Sequence, residues 1–563
     1  MKFRKSILVL PVLMCSAAVI QAQDNYVSQV WCPDNGDGTY TNPIINADYS
    51  DPDVCRVGDD YYMTASSFCD IPGLPILHSK DLVNWTIISH ALPAYPDTAF
   101  INPSHGNGVW APSIRYHNGE FFVCYGDPDR GIYMIKSRDA RGPWDEPILI
   151  FPVVGQIDPC PFWDEDGRAY IAHGYAGSRA GVKSILGMFE MTPDGTKAIS
   201  PDRVIYDGHI ENPTIEGAKM YKRGDWYYIF SPAGGVATGW QEVLRSKSPW
   251  GPYEVRNVME QGNTAVNGPH QGAWIDTPDG KEDWFIHFQD KGPYGRVTHL
   301  QPMAWNEDGW PVIGEDKDGD GRGIPVTKHR KPNVGKNYPM INPAEDDDFT
   351  TVELGKQWQW KANPQPLWYY CDAANSQLRL FSHQTPGAKS LYDCGNLLLQ
   401  KFPSENFTFT AEVQLVPNQK NGKNMTGERG GLIIEGYNYG ALAIESREDG
   451  VYLAQVDCVK ANKGKSEEEA ASVKLADNTS ASPKVWLRVK VKQLTKKPTQ
   501  KPDYDCQATF YYSLDGKKYT EFGRKLKVTE GHWIGAKVGL FCVRDFRIND
   551  SGWLNVDKVT FTK

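Results

Sequence analysis

The sequence predicts an all-β protein, with a five-bladed β-propeller at residues 42–326 followed by a concanavalin-like or jelly-roll β-sandwich at residues 346–563. The propeller is indicated by a recurring segment in which a polar turn enters an aromatic pair and an apolar tail, as a tight hairpin enters a strand. Its five copies are 48–60 residues apart, a spacing typical of propeller blades. The sandwich is indicated by ten longer, alternating strands. The five copies are 58–66, 118–126, 166–174, 223–231 and 281–289.

The N-terminal residues 1–22 are predicted to be a signal peptide. A cationic start precedes an apolar run at 7–20, which is too short to span a bilayer comfortably, and Ala22 is a small residue suited to cleavage. We therefore expect an exported protein, periplasmic or secreted, with no transmembrane segment. Cys15 raises the alternative of a lipoprotein, but Met14 before it is not the small residue that such a signal requires.

Composition excludes some functions and leaves others open. The net charge of −9, with acidic and basic residues interspersed, argues against nucleic acid as a partner. The aromatic share of 12% suits stacking on sugar rings, although aromatic-rich β-structure alone would also explain it. The sequence has no CxxC pair and no Cys/His cluster with metal-ligand spacing, so a zinc site is not expected. Cys371 and Cys394 could form a disulfide in an oxidising compartment, and unpaired buried thiols are the alternative.

Between the two domains, residues 327–345 are predicted to be a linker. They lie at the end of a stretch rich in Gly, Pro and charged residues, which disfavours regular structure. The linker is short for two domains of this size. We therefore expect the sandwich to be a structural partner that shapes the propeller pocket, with an independent sugar-binding module as the alternative.

Counting back from the second aromatic of each recurring segment identifies five residues at equivalent positions. Asp51 lies 11 residues before its landmark, Trp110, Asp158 and Glu216 lie 12 before theirs, and His270 lies 15 before the last. If the segments are equivalent blades, these side chains come from equivalent strands and converge on the propeller axis. Three carboxyl groups, an indole and an imidazole in one pocket indicate an active site.

The local sequence around each carboxyl group supports this interpretation. Pro52 directly after Asp51 suggests a strand start or bulge that turns the side chain towards the axis, and Asp53, two residues on, could share that face. An ordinary Asp-Pro turn is the alternative. Asp158 repeats the Asp-Pro pair at a later blade, and Glu216 precedes two small residues in an apolar segment, where a solvated surface group is hard to explain.

Three converging carboxyl groups fit the hydrolysis of a glycosidic bond. One acid protonates the leaving oxygen while a base activates water on the opposite face of the sugar. A third can orient the acid and tune its pKa by charge repulsion, and burial raises the pKa of a carboxyl group as a general acid near neutral pH requires. A propeller that only binds a ligand has no reason to bury three like charges at its mouth.

The motifs YSDPDV, VWAPSIRY, QIDPCPFWDEDGRAYIAHG, TIEGAKMYKRGDWYYIFSP and GPHQGAW, in this order, resemble glycoside hydrolase family 43 over about residues 42–326. That resemblance implies a five-bladed propeller with an inverting mechanism. It further implies that Asp51 is the general base, Glu216 the general acid and Asp158 the residue that orients the acid and tunes its pKa. The sandwich resembles the C-terminal domain of the family's β-xylosidase and α-L-arabinofuranosidase branch.

The same resemblance assigns further residues. His270 resembles the family's axial histidine, which is associated with a calcium or sodium ion held mainly through water; a hydrogen-bonded core histidine is the alternative. Arg296, in PYGRVTHLQPM, resembles the arginine that reaches the bound sugar, and a surface arginine is the alternative. No cofactor is expected for the chemistry itself.

Three aromatic contributions to the pocket follow from the resemblance. Phe68 and Trp110 resemble the apolar walls around the sugar, and the blade count places Trp110 at the axis independently. In two-domain members of the family an aromatic side chain from the sandwich can close the pocket. Phe541 or Phe546 is the candidate for that position in this sequence.

The sequence therefore predicts an inverting, exo-acting glycoside hydrolase that releases a terminal pentose from plant polysaccharides or oligosaccharides. β-D-Xylosidase with accompanying α-L-arabinofuranosidase activity is favoured by the branch resemblance, and an enzyme with α-L-arabinofuranosidase activity alone is an alternative. Two other classes remain to be tested: a non-catalytic carbohydrate-binding propeller, and a retaining propeller glycosidase whose paired carboxyl groups lie closer together.

Overall fold

The computed structural model describes residues 25–96, 98–494 and 504–563. It confirms the predicted fold class, because five antiparallel blades, four of them four-stranded and the last five-stranded, precede a two-sheet sandwich. The prediction of a signal peptide at 1–22 lies outside the described residues. In the described ranges no helix is long and apolar enough to cross a membrane. The described helices are one short α-helix, Gly177–Ala180, and the 3₁₀ turns Thr98–Ile101, Gly292–Tyr294, Leu391–Asp393 and Ala461–Lys463.

Each blade is a meander, and the first strands of blades 5, 1, 2, 3 and 4 contact one another in that order around the axis. The last blade is completed by a strand from the N-terminal side of the first, so the ring closes by pairing distant parts of the chain. The strands are, for blade 1, Asp53–Val57, Asp60–Thr64, Gly73–Ser79 and Trp85–Leu92; for blade 2, Trp110–His117, Glu120–Asp127, Gly131–Ser137 and Ile148–Phe151; for blade 3, Gln156–Trp163, Ala169–Tyr175, Ile185–Met191 and Arg203–Asp207; for blade 4, Lys219–Arg223, Trp226–Ala233, Trp240–Ser246 and Glu254–Met259; and for blade 5, His270–Asp276, Asp283–Asp290, Arg296–Trp305 and Ile45–Asp48, with Pro311–Ile313 paired to Arg296–Trp305.

The sandwich packs its two antiparallel sheets around a large apolar core. Alternating side chains of each strand enter this core, which is why the second half of the sequence alternates. In sheet order, the first sheet contains Gln359–Trp360, Leu397–Lys401, Lys537–Arg544, Glu428–Glu435, Tyr439–Arg447, Gly450–Cys458 and Glu468–Asp477, and the second contains Tyr369–Asp372, Gln377–Phe381, Trp553–Thr562, Phe407–Val416, Val485–Gln493, Cys506–Ser513 and Thr520–Glu521, with Leu526–Val528 paired to Cys506–Ser513. Two small ribbons complete the strands: Thr39–Thr41 with Lys328–Arg330, and Gln419–Lys420 with Lys423–Asn424.

The segment predicted as a linker is fixed along the N-terminal part of the chain. Lys328–Arg330 pairs with Thr39–Thr41, and the Ser28 hydroxyl donates to the Glu345 carboxylate at 2.7 Å. Val30, near the start of the described chain, belongs to the sandwich core. These contacts tie the N-terminal segment to both domains.

A buried cluster of charged residues joins the propeller to the sandwich. Asp70, from blade 1, contacts the ammonium groups of Lys537 and of Lys361, the latter at 3.3 Å, and Lys361 lies 3.5 Å from the Glu435 carboxylate. All four side chains are at most 2% exposed. Beside them, Ile71 and Trp360 exchange two backbone hydrogen bonds across the interface. We call Asp70, Lys361, Glu435 and Lys537 the interface cluster.

The described cysteines are unpaired. Cys371 belongs to the core between the two sheets, whereas Cys394 belongs to a separate apolar cluster. The structure therefore has the unpaired buried thiols that were the alternative to a Cys371–Cys394 disulfide.

Candidate active site

The residues that begin the inner strands have an unusual backbone conformation. Asp51 and Asp158 have φ values of 54° and 58°, and Ala111, Gly217 and Gln271 also have positive φ. The strand pairing shifts register next to these residues in blades 2, 3 and 5, as at a β-bulge. A non-glycine residue in this region costs about 1–3 kcal/mol and is concentrated at functional sites.

This conformation explains an incorrect expectation for Asp53. The positive φ of Asp51 breaks the strict alternation of an extended strand, so residues 51 and 53 do not share a face. The Asp53 carboxylate is completely buried, where it accepts hydrogen bonds from the Ile114 amide at 2.7 Å and the Arg115 guanidinium at 2.5 Å. It is a structural ion pair in the hub, outside the cavity.

The side chains of Asp51, Asp158 and Glu216 line one cavity of about 230 Å³ at the end of the propeller axis. Phe68, Trp110 and Arg296 line it as well, so the structure brings together six of the seven site residues predicted from the sequence. The seventh, His270, lies directly behind Glu216. The remaining lining residues are Ala111, Ile157, Thr214, Gly235, Val236, Gln271 and Trp533.

Asp51 is held through one of its two oxygens. The hydroxyl groups of Ser50 and Ser66 donate to Oδ2 at 2.5 and 2.6 Å, and Nη1 of Arg296 lies 3.6 Å from the same oxygen. Ser66 in turn accepts a hydrogen bond from the Ala111 amide at 2.8 Å, which links the first two blades. The fixed Oδ2 orients Oδ1, the oxygen that can accept a proton from water.

Glu216 precedes the first strand of blade 4. Its Oε1 lies 3.0 Å from Nε2 of His270, and its side chain is 24% exposed, more than that of either aspartate. The Ser231 hydroxyl donates to the Glu216 carbonyl oxygen and fixes the local backbone. An accessible carboxyl group held by a buried imidazole has the placement that proton donation to a bound ligand requires.

Asp158 is 4% exposed, and its Oδ2 accepts a hydrogen bond from the Gly217 amide at 2.8 Å. Gly217 follows Glu216, so this bond couples the backbone of the two acidic residues. Burial raises the pKa of Asp158 well above its ordinary value, and the charges of Glu216 and Asp51 raise it further. The three carboxyl groups therefore form one electrostatically coupled set.

Arg296 is positioned by Asp48, the last residue of the strand that closes blade 5. Oδ1 of Asp48 accepts a hydrogen bond from the Arg296 amide at 2.9 Å, and its Oδ2 accepts one from the Gly535 amide at 2.9 Å. Gly535 belongs to the sandwich, so one buried carboxylate joins the arginine to the second domain. The guanidinium group reaches the cavity between the rings of Phe288 and Trp533, 5.1 and 5.9 Å from their centroids.

The aromatic wall of the cavity comes from both domains. Phe68 and Trp110 make an edge contact with 6.2 Å between ring centroids, and Trp533 from the sandwich makes another with Trp110 at 6.0 Å. The expectation that Phe541 or Phe546 supplies this residue is wrong. Phe541 is fully buried within the sandwich, and neither phenylalanine lines the cavity.

Three residues of the site were missed by the sequence argument: Asp48, Gln271 and Trp533. Gln271 is 2% exposed, and its Nε2 has no hydrogen-bond partner in the described structure although the residue lines the cavity. An unpaired buried amide is costly unless a ligand accepts its hydrogen bond. Its position directly after His270 in GPHQGAW was the one available signal.

The donors near the axis fit an ion only through water. Within the described ranges, no three His, Cys, Asp or Glu residues converge to hold a metal directly. Nδ1 of His270 is nevertheless buried without a hydrogen-bond partner, and it can face the water shell of an ion. The hub also contains the Lys219 side chain. Its ammonium group donates to the Pro112 carbonyl and the Ser113 hydroxyl at 2.9 and 2.7 Å. The calcium or sodium ion at the axis stays a prediction.

A propeller whose axial cavity is lined by three coupled carboxyl groups and aromatic walls has the site of a glycoside hydrolase. Comparison with known proteins assigns the family. The family model for glycosyl hydrolases family 43 matches residues 40–311, and that for the beta xylosidase C-terminal concanavalin A-like domain matches residues 346–562. The chain belongs to glycosyl hydrolases family 43, and it is an enzyme that hydrolyses O-glycosyl bonds.

Individual relatives extend this comparison over most of the chain. A beta-xylosidase of Formosa agariphila is 34% identical over 561 residues, covering 94% of this chain and 91% of the relative. A non-reducing end alpha-L-arabinofuranosidase of Bacteroides ovatus is 32% identical over 418 residues, covering 70% and 73%. The solved structure of a xylan beta-1,4-xylosidase from Bacillus halodurans superposes with a TM-score of 0.77 at 23% identity, covering 93% of this chain and 100% of that one, which supports the fold.

Proposed function

We propose that the enzyme is an inverting, exo-acting glycoside hydrolase that releases a terminal pentose, β-D-xylose and α-L-arabinofuranose, from plant-derived glycans. The observation that carries the proposal is the convergence of Asp51, Asp158 and Glu216 on one cavity with apolar walls. A cavity of about 230 Å³ suits one terminal sugar rather than a stretch of chain. The beta-xylosidase and alpha-L-arabinofuranosidase relatives support both sugars.

In the proposed reaction, Glu216 gives its proton to the glycosidic oxygen as the bond to the anomeric carbon breaks. Asp51 accepts a proton from the water whose oxygen attacks that carbon from the opposite face. The products are the free pentose with inverted configuration and the shortened alcohol. The serine donors on Oδ2 of Asp51 hold the base in place, so little reorientation is needed during the reaction.

Two neighbours prepare the acid. With a hydrogen on Nε2, the His270 imidazole donates to Oε1 of Glu216, which leaves Oε2 to carry the catalytic proton. Burial and the nearby charges of Glu216 and Asp51 raise the pKa of Asp158, the most buried of the three acids. Asp158 thus acts as the residue that orients Glu216 through Gly217 and tunes its acidity.

The walls of the cavity favour a pentose. A pentopyranose lacks the hydroxymethyl group of a hexose, so Phe68, Trp110 and Trp533 can close tightly over its ring. The Arg296 guanidinium and the unpaired Gln271 amide supply donors for its hydroxyl groups. α-L-Arabinofuranosidase activity alone is the second candidate, supported by the Bacteroides ovatus relative.

Replacing Glu216 by Gln tests the assignment of the acid. We expect activity on xylo-oligosaccharides, whose leaving groups need a proton, to fall about 10²–10⁴-fold, and activity on activated aryl xylosides to fall much less. Steady-state kinetics on both substrate types measures the difference, with the exposed Glu353→Gln as control. Equal losses on both substrates contradict the acid role.

Stereochemistry tests the mechanism. Proton NMR of the first-formed sugar is expected to show the anomer opposite to that of the substrate, since water attacks directly. Retention of configuration contradicts the role of Asp51 as base. Activity on nitrophenyl β-xyloside and nitrophenyl α-L-arabinofuranoside, compared in one assay, decides between the two substrate candidates.

Export is part of the proposal and is supported by the sequence of residues 1–22. A polysaccharide too large to enter a cell must be met in the periplasm or outside the cell. Fractionation of the native host with an antibody to the sandwich is expected to find the mature protein outside the cytoplasm. A wholly cytoplasmic, unprocessed protein contradicts this part.

A further inference from the structure

A ring of five buried side chains lies just beyond the catalytic cavity along the inner strands. Each blade contributes one member, two residues after the positive-φ residue near the start of its inner strand. All five are completely buried, and the residues that follow them line an opening at the opposite end of the axis. The ring therefore lies between the two ends of the hub. We call it the hub ring, and its members are Asp53, Ser113, Cys160, Lys219 and Ala273.

The bulges that place the site residues leave backbone groups outside the strand pairing. In blades 2 and 3 the cross-strand register skips Pro112 and Pro159, which directly follow Ala111 and Asp158. Both prolines are buried. A buried carbonyl group without a partner costs free energy comparable to a lost hydrogen bond, so each of these carbonyls needs a donor from outside its own sheet.

Two members of the hub ring supply these donors in series. The Lys219 ammonium donates to the Pro112 carbonyl at 2.9 Å and to the Ser113 hydroxyl at 2.7 Å. The Ser113 hydroxyl in turn donates to the Pro159 carbonyl at 2.7 Å. One chain of hydrogen bonds therefore runs from blade 4 through blade 2 to blade 3.

This chain ends beside the acidic residues of the cavity. Lys219 lies three residues after Glu216, and Pro159 directly follows Asp158. Burial and the charges of Glu216 and Asp51 raise the pKa of Asp158, and the Lys219 ammonium acts in the opposite direction. The ammonium group is therefore close enough to influence the cavity without lining it.

The buried charge of Lys219 is compensated within the hub ring. Its ammonium group lies 4.0 Å from the carboxylate of Asp53, which is also completely buried. Oδ1 of Asp53 has no hydrogen-bond partner in the described part of the chain, so the nearby ammonium offsets its charge. A buried ammonium group with an anion and two hydrogen-bond acceptors around it is held in one place.

We propose that Lys219 and Ser113 are positioning residues for the hydrolysis. By bonding the carbonyl groups that the bulges free, they hold the backbone of Asp158 and Glu216 at the spacing that the reaction requires. This inference rests on the proposed function, in which these carboxyl groups act together. Neither positioning side chain lines the catalytic cavity, so both act through the backbone and not by contact with the substrate. Proton transfer depends steeply on the distance between the groups, so kcat should respond more than KM.

Lys219→Met tests the proposal by removing the ammonium group while keeping most of the side-chain volume. On the nitrophenyl glycoside that the wild type cleaves, we expect kcat to fall about 10- to 100-fold and KM to stay within about threefold. Lys222→Met is the matched control. Lys222 lies on the same strand and pairs with Asp164 at 2.7 Å, but it lines the opening at the opposite end of the axis. Its kcat is expected to equal that of the wild type, and melting temperatures of both variants monitor the fold.

Ser113→Ala breaks the same chain in the middle and leaves the ammonium group in place. We expect kcat to fall about five- to tenfold, the effect of one lost hydrogen bond, with KM and the melting temperature close to those of the wild type. In the double variant the combined kcat loss should be smaller than the product of the two single losses, because both side chains act in one chain. Independent structural roles would give the full product.

Four results overturn the inference: an unchanged kcat in Ser113→Ala, a loss in Lys222→Met as large as in Lys219→Met, a change in KM with kcat retained, or a double variant with the full product of losses. If Lys219→Met does not fold, kcat and KM of Ser113→Ala decide alone. Failure of the proposed function is recognised separately, because the wild-type enzyme then cleaves neither nitrophenyl xyloside nor nitrophenyl arabinofuranoside.

Discussion

The active site and the interface cluster both bury carboxyl groups, but they differ in how those charges are compensated. At the active site Asp158 lies close to two other acids, and burial and their charges raise its pKa well above the ordinary value. In the interface cluster burial also disfavours the charge of Asp70, yet Lys361 and Lys537 outweigh it and hold the pKa of Asp70 below its ordinary value.

The two regions show opposite uses of the same residue type. Paired with buried ammonium groups, Asp70 fixes the contact between the domains, and it lies two residues from Phe68 while Lys537 lies four from Trp533. The compensated carboxylate therefore supports two walls of the cavity. The carboxyl group of Asp158 inside the cavity has no cationic partner, so its charge is destabilising for the fold.

Breaking the compensated cluster is expected to have the largest effect on stability. Asp70→Ala removes the one carboxylate that both ammonium groups contact and leaves the buried Lys537 with only a neutral acceptor, Gln359, which costs about 3–5 kcal/mol. Urea unfolding followed by tryptophan fluorescence measures the loss. The exposed ion-pair variant Asp320→Ala is the control and should leave the unfolding midpoint unchanged. A midpoint for Asp70→Ala equal to that of the wild type contradicts the role of the cluster.

Neutralising the uncompensated site should have the opposite effect on stability. Asp158→Asn is expected to lower kcat about a hundredfold or more and to raise the melting temperature near neutral pH. Because the pKa of Asp158 is raised, the native state binds more protons than the unfolded state above about pH 4, and this group destabilises the fold increasingly as the pH rises.

Melting temperatures of the wild type and of Asp158→Asn across the pH range measure this linkage. The melting temperature of Asp158→Asn should exceed that of the wild type by an amount that grows from acid towards neutral pH. Asp225→Asn, at a carboxyl group that is 93% exposed, should show no such widening. A constant difference at every pH shows that the charge of Asp158 is not the cause.

A smaller effect on activity than that of Asp158→Asn is expected at Asp48, which contacts both the active site and the sandwich. Asp48→Ala leaves the amides of Arg296 and Gly535 without acceptors, a cost of about 1–3 kcal/mol for each buried group. We expect kcat/KM to fall about tenfold on all substrates, since the Arg296 side chain and the Trp533 loop lose their common anchor.

Asp48→Asn retains one acceptor oxygen and should lose less in both kcat/KM and melting temperature than Asp48→Ala. The diagnostic result is that both kcat/KM and melting temperature decrease in the order wild type, Asp48→Asn, Asp48→Ala. An alanine variant as active as the wild type shows that Arg296 and Trp533 are held independently of Asp48.

The hub could be predicted from the sequence because each blade repeats one hairpin signal. The aromatic pairs that end at Tyr62, Phe122 and Tyr170 lie on the second strands, and counting back 11 or 12 residues from them reaches Asp51 and Asp158 near the start of the inner strands. Each hairpin pairs with its neighbours in sequence, and the repetition of this hairpin around the axis brings residues that are distant in sequence into one cavity.

Residues positioned by unrepeated, long-range contacts were not predictable in this way. The strand Ile45–Asp48 is too short to show alternation, and its partner Arg296–Trp305 lies some 250 residues away. The position of the Trp533 side chain depends on its loop, in which Trp533 itself has a left-handed backbone that tryptophan rarely adopts. Phe541 was chosen for its ring, but strand pairing turns it into the separate apolar cluster that also contains Cys394.

The closure of blade 5 by Ile45–Asp48, and the bond from Asp48 to Gly535, have a consequence for biosynthesis. A chain still emerging from the ribosome has made its catalytic acids long before it has made the loop that holds Trp533. Hydrolytic competence is therefore expected only after the loop that holds Trp533 has been synthesised and has packed against Asp48, and products that terminate before Trp533 should be inert.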